Sequence, residues 1–171
     1  MSRRSLPALL LAAAAACSAN DQKAAASDFA LISPAFASGA TLPREFTCNG
    51  ANTSPPLAWS HPPAASKSYV LIVDDPDAPG GTFRHWGLYD LPASARSIDA
   101  GQAPGRQAVN DLGKPGYGGP CPPSGTHHYR FKLYALDVEK LGLPPSAKVA
   151  EVESAAENHS LGRADLVGTY R

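Results

Sequence analysis

The sequence predicts an all-β dominated fold: an antiparallel β-sandwich with one or two peripheral helices near the C-terminus. Three observations carry that prediction. Proline (17) and glycine (15) punctuate the 171 residues at a density that suits turn-rich sheet better than a helix bundle. Between those breaks the apolar residues come in short β-branched or alternating runs. Only one late stretch, Val149 to Leu161, has helix-favouring Ala and Glu, with Val149, Val152 and Ala156 at helical spacing. A length of 171 residues also fits about one domain, with enough chain to bury a sizeable core.

Taken in chain order, residues 1–16 read as an export signal. Arg3 and Arg4 precede an apolar run from Leu6 to Ala16, which is short of the ~20 residues a membrane-spanning helix needs. The Ala-Ala-Ala-Cys ending resembles a bacterial lipoprotein cleavage site with Cys17 as the lipid-bearing residue; ordinary cleavage after Ala16 is the alternative. Residues 17–27 are small and polar and form a tether, and 28–171 form the domain. The expected location is therefore outside the cytoplasm, in a bacterial periplasm or on a membrane held only through a lipid on Cys17. With Cys17 lipidated, Cys48 and Cys121 remain to pair in an oxidising compartment; two buried free thiols are the alternative.

Within the domain, Tyr69 to Val73 is apolar on both faces and reads as a buried strand. Trp86 to Leu91 is a second strand, closed by Pro92. Tyr129 to Leu136 alternates, with Tyr129, Phe131, Leu133 and Ala135 towards the core and Arg130, Lys132 and Tyr134 away from it. Leu166 to Tyr170 is a last short strand after the helix.

Polar chemistry gathers where these strands end. Asp74-Asp75-Pro76-Asp77-Ala78-Pro79 leaves the first strand, His85-Trp86 enters the second, and a Gly/Pro-rich stretch from Gly116 to Gly125 leads into His127-His128-Tyr129. Each has a plain structural reading, because carboxylates beside prolines form turns and Gly/Pro stretches form surface loops. Read together, strand parity turns Asp75 with Val73 and Leu71, and His127 with Tyr129 and Phe131. A pocket of His85, His127 and Tyr129 backed by glycine amides offers several donors to an anion such as phosphate. Unperturbed imidazoles titrate near 6.5 and supply partial positive charge around neutrality. Asp75 fixes one imidazole tautomer or meets an ammonium on the same ligand. Equal numbers of basic and acidic residues, 15 each, argue against a nucleic-acid partner held by bulk charge.

These motifs, with FTCNGANTSPPLAW (Phe46 to Trp59) and the ending LVGTYR, resemble the phosphatidylethanolamine-binding protein family, in particular its bacterial Raf-kinase-inhibitor-like branch. The resemblance spans roughly Asp28 to Arg171. It implies a β-sandwich that binds small phosphorylated or other anionic ligands in a rim pocket, with Asp75, Asp77, Pro79, His85, Gly119, Pro122, His127 and Tyr129 as its residues. It also implies a cis peptide at Ala78–Pro79. Many relatives carry Arg where this chain has His128, which replaces a permanent charge by a titrating one. No cofactor is implied.

Two other readings stay open at this stage. Ser124 and His127, with an aspartate, could be drawn as a hydrolase, although the Gly-x-Ser-x-Gly elbow is missing. His85, His127 and Asp75 supply the ligand types of a metal site, without a signature spacing. The preferred expectation is a binding module for a small anion, without turnover; the ligand's identity, any protein partner and the oligomeric state are beyond these motifs.

Overall fold

A computed structural model describes residues 29–171. The leader at 1–16, Cys17 and the tether at 17–27 lie outside the described residues. The strands are β1 (Ala30–Ile32), β2 (Leu57–Ser60), β3 (Ser68–Asp75), β4 (Phe83–Pro92), β5 (Ser97–Ile98), β6 (Arg106–Gln107) and β7 (His127–Leu136). Helix α1 (Val149–Asn158) and strand β8 (Ser160–Tyr170) complete the chain. β1, β2 and β5 form a small antiparallel sheet, and a larger one runs in the order β6-β4-β3-β7-β8.

The core lies between the two sheets. Leu71, Val73, Trp86, Leu88, Phe131 and Leu133 of the large sheet pack towards Leu31, Leu57, Trp59 and Ile98 of the small one. A second apolar layer lies on the other face of the large sheet, where Val70, Ile72, Tyr89 and Tyr134 meet Val149, Val152 and Ala156 of α1. This explains why β3 is apolar on both faces: every one of its residues is buried. Fully burying a side chain such as Ile72 or Leu71 stabilises by roughly 1.5–3 kcal/mol, so β3 anchors both layers.

Three details depart from the strand reading. The face of β7 expected to meet solvent is partly covered by α1, leaving Lys132 and Tyr134 6% and 3% exposed. β8 begins at Ser160, directly after the helix, and pairs with β7 along its whole length. The helix accordingly ends at Asn158, short of Leu161. No peptide bond is cis among the described residues, so Ala78–Pro79 is trans. The reason is local. Gly81 N–H bonds to Ala78 O at 3.0 Å, which places Pro79 second in a four-residue turn, where a trans proline fits.

The pairing of β3 with β4 carries two irregularities, one between Tyr69 and Leu71 and one next to the end of the sheet where the polar residues gather. Val73 pairs with Trp86 but Asp74 pairs with Arg84, which leaves His85 as the extra residue of a β-bulge. Trp86 faces the inter-sheet core, and the bulge turns His85 to the same side instead of the opposite one.

Candidate functional site

At the end of the large sheet the chain encloses a cavity of about 360 Å³. Asp75, Pro79, His85, Gly119, Pro122, His127 and Tyr129 all line it, brought together from β3, the turn after it, β4, the Gly/Pro-rich loop and β7. Asp77 does not line it. Its carboxylate sits outside the cavity and accepts from the backbone N–H and from Nδ1 of His128, at 2.8 and 2.7 Å. Those two bonds hold the Asp77 carboxyl below the usual carboxylate range.

The floor is built on two imidazoles whose tautomers are fixed. His127 Nδ1 lies 2.7 Å from Asp75 Oδ2, and His85 Nδ1 lies 2.7 Å from the Gly118 carbonyl oxygen. Carboxylate and carbonyl oxygens accept, so Nδ1 carries the hydrogen in both rings and Nε2 is the nitrogen left for the cavity. Asp75 is itself pinned, because its Oδ1 accepts the Asp77 backbone N–H at 2.8 Å. This pair is nearly sealed from water: Asp75 is 3% exposed and His127 7%. Burial pushes the His85 imidazole below its ordinary value near 6.5, so that ring is neutral at neutral pH.

Tyr129 stands edge-on to His85, with ring centroids 5.3 Å apart. Its hydroxyl is buried and makes no hydrogen bond with the described residues. Burial raises its pKa well above the ordinary phenol value, so it stays a protonated donor. A buried hydroxyl without a partner carries a desolvation cost of roughly 1–3 kcal/mol, which a ligand oxygen would relieve.

The loop walls are covalently and sterically fixed. Cys48 and Cys121 form a disulfide with a Cα–Cα distance of 5.5 Å, both residues lining the cavity and both exposed. Beside it the Cys48 N–H bonds to Pro120 O at 3.0 Å. A Cβ at Gly119 would fall 2.6 Å from both Asn52 Oδ1 and Phe46 O, so glycine is required there by close approach.

The expected glycine amides are not free donors. Gly118 N–H binds His85 O at 3.0 Å and Gly119 N–H binds Asn52 Oδ1 at 2.7 Å. Donation to a ligand falls instead to the side chains of the floor. Asp75 is likewise engaged twice, with no oxygen left unbonded for an ammonium or a metal ion. Among the described residues no cluster of three or more His, Cys, Asp or Glu is placed to hold a metal. Ser124 is exposed and does not line the cavity, so it is not paired with His127 for nucleophilic chemistry.

Sequence reading missed the mouth. Ala78, Phe83, Leu112 and Pro123 join Pro79 and Pro122 in an apolar collar around the polar floor. Leu112 is 55% exposed, an isolated large apolar residue in the polar turn Asn110 to Lys114. That isolation was the available signal.

Comparison with known proteins agrees with the fold. Residues 32–171 match the family model described as phosphatidylethanolamine-binding protein. A UPF0098 protein of Aquifex aeolicus is 44% identical over 149 residues, covering 82% of this chain and 87% of that protein. A Mycobacterium tuberculosis protein named as a lipoprotein, LppC, is 46% identical over 150 residues, covering 85% of this chain and 74% of its own. Among solved structures, a phosphatidylethanolamine-binding protein homologue from Chlamydia trachomatis superposes with a TM-score of 0.80 at 37% identity, covering 85% of this chain and 99% of that one. Escherichia coli YbcL, described as a member of the mammalian family, gives 0.79 at 31% identity, over 84% and 98% of the two chains.

Proposed function

Because this chain belongs to the phosphatidylethanolamine-binding protein family, we propose that its cavity binds a small ligand with a phosphate-like anionic head and an apolar body, and does not turn it over. The observation that carries this reading is the pair of imidazoles locked with Nε2 towards the cavity beside the unpartnered Tyr129 hydroxyl. A neutral Nε2 accepts and cannot hold an oxyanion; protonated, it donates a charge-assisted bond. Anion binding is therefore coupled to proton uptake, and a zwitterionic head group such as phosphoethanolamine uses one ring in each state. The protonated ring donates to phosphate, and the neutral one accepts from the ammonium. The collar of Phe83, Leu112 and prolines suits the apolar body that such a head carries.

The displaced Ser124 and a floor whose described side chains include no serine or free thiol favour binding over hydrolysis. The kinship with a lipoprotein-named relative and the Ala-Ala-Ala-Cys sequence support export with a lipid on Cys17. Calorimetry with sulfate, a permanent dianion, and with phosphoethanolamine at about pH 6 and pH 8 tests the reading. Sulfate is expected to bind more tightly at the lower pH, with proton uptake, and His127→Ala to lose far more affinity than His128→Ala. Equal affinity at both pH values, or no binding of either probe, overturns it. Mass spectrometry of the exported protein reports the state of Cys17.

A further inference from the structure

Asp74, the neighbour of Asp75 on β3, turns to the other face of the large sheet, where a polar groove of about 320 Å³ runs beside α1. Its floor is a closed ion cluster. Arg130 holds Asp74 through Nε at 2.8 Å and a terminal nitrogen at 3.2 Å, and Lys132 Nζ reaches the same carboxylate at 2.6 Å. Lys132 also bonds Glu153 of α1, whose other oxygen takes Arg84 Nε at 3.4 Å. Asp74 and Lys132 are almost fully buried, at 1% and 6% exposure.

The cluster contains three cations and two carboxylates, and all four carboxylate oxygens are occupied. Donors are in surplus. Both terminal nitrogens of Arg84, one of Arg130 and the third ammonium hydrogen of Lys132 make no bond with the described residues, and neither do the hydroxyls of Thr82 and Ser154 on the groove wall. The other charge on the groove is the exposed carboxylate of Glu157 at its rim. A floor with one positive charge in excess and surplus donors from two guanidinium groups and two hydroxyls suits a tetrahedral oxyanion better than a planar one, because the donors approach from several elements.

We propose that this groove, lined by Arg84, Arg130, Lys132, Thr82 and Ser154, is a second oxyanion site that takes a phosphate group, free or as a monoester, independently of the cavity on the opposite face. Its donors carry permanent charge, so its affinity for a permanent dianion such as sulfate stays level between about pH 6 and pH 8, unlike that of the histidine floor. The two sites lie back to back across β3, one built on Asp74 and the other on Asp75.

Titration of the full protein with sulfate, followed by side-chain NMR of the Arg84 and Arg130 Nε–H groups, tests the assignment. Sulfate is expected to shift both, equally at the two pH values. Ser154→Glu places a carboxylate in the groove from an exposed, helix-compatible position and is expected to weaken that response about tenfold. Glu157→Gln removes the rim charge and is expected to tighten it about twofold. His127→Ala, which abolishes binding in the cavity if that reading holds, leaves the arginine shifts intact. Arginine signals that ignore sulfate, or that respond identically in wild type and Ser154→Glu, overturn the proposal. Arginine shifts that vanish with His127→Ala assign the response to the cavity and overturn it as well. Free phosphate, phosphoserine and phosphoethanolamine compared on the wild type then identify the source of the group.

Discussion

Replacing Asp75 by Asn tests the cavity at the group that orients it. The carboxylate accepts twice, from the Asp77 N–H at 2.8 Å and from His127 Nδ1–H at 2.7 Å. An amide has one accepting and one donating end. If its oxygen keeps the Asp77 bond, its NH2 faces His127, whose Nδ1 must then become the acceptor and Nε2 the protonated nitrogen. The exchange replaces a buried charge-assisted bond, worth roughly 1.5–3 kcal/mol, by a neutral one of roughly 0.5–1.5. The expected loss is about 1.5 kcal/mol. At about 4 °C per kcal/mol for a domain near this size, Tm falls by about 6 °C. Nitrogen-15 NMR of the His127 ring reads the tautomer directly, and differential scanning calorimetry reads the stability. Sulfate binding should also lose much of its pH dependence, because one donor to the anion is now permanent. An unchanged tautomer together with a Tm within about 1 °C of wild type would refute the pairing as described.

Other perturbations obey the same logic. The Cys48–Cys121 bridge closes 73 residues of chain, so Cys48→Ser with Cys121→Ser should cost about 4 kcal/mol by loop entropy; denaturant unfolding that shows no loss contradicts it. Gly119→Ala puts a methyl 2.6 Å from two oxygens and should lower stability by roughly 1–3 kcal/mol while weakening sulfate binding, both read by calorimetry. Burial holds His85 below its ordinary pKa, so the unfolded chain takes up that proton first as the solution is acidified. Its contribution to stability is present above about pH 6.5 and is lost as pH falls through the folded-state value. Thermal melts of wild type against His85→Gln should diverge in that acidic window, and added sulfate should restore the wild type there by favouring the protonated ring.

Much of this architecture was legible because apolar patterning states burial directly. The double-sided run Tyr69 to Val73 declared a strand covered on both faces, and parity separated His127 from His128 and Asp75 from Asp74. Lys132 was misread for a related reason. Alternation tells which residues share a face but not what packs against it, and here α1 covers the charged side of β7. The first half of β8 escapes the sequence reading because Ser160 to Asp165 contains no β-branched or aromatic residue, its strand state being imposed by pairing with β7. The bulge at His85 and the internal bonds of the Gly118 and Gly119 amides depend on contacts between distant segments, which no local pattern records. The trans state of Ala78–Pro79 likewise reflects the turn closed by Gly81.

Two adjacent carboxylates on one central strand, facing opposite layers, make the whole domain sensitive to its phase. Sliding β3 by a single position would trade them, presenting Asp74 to an imidazole and Asp75 to an ammonium and a guanidinium, two exchanges that electrostatics alone scarcely distinguishes. What forbids the slip is the hydrocarbon upstream: Leu71 and Val73 would leave the inter-sheet core as Val70 and Ile72 left the helix side. The aliphatic stretch thus acts as the ruler that assigns each acid to its own chamber.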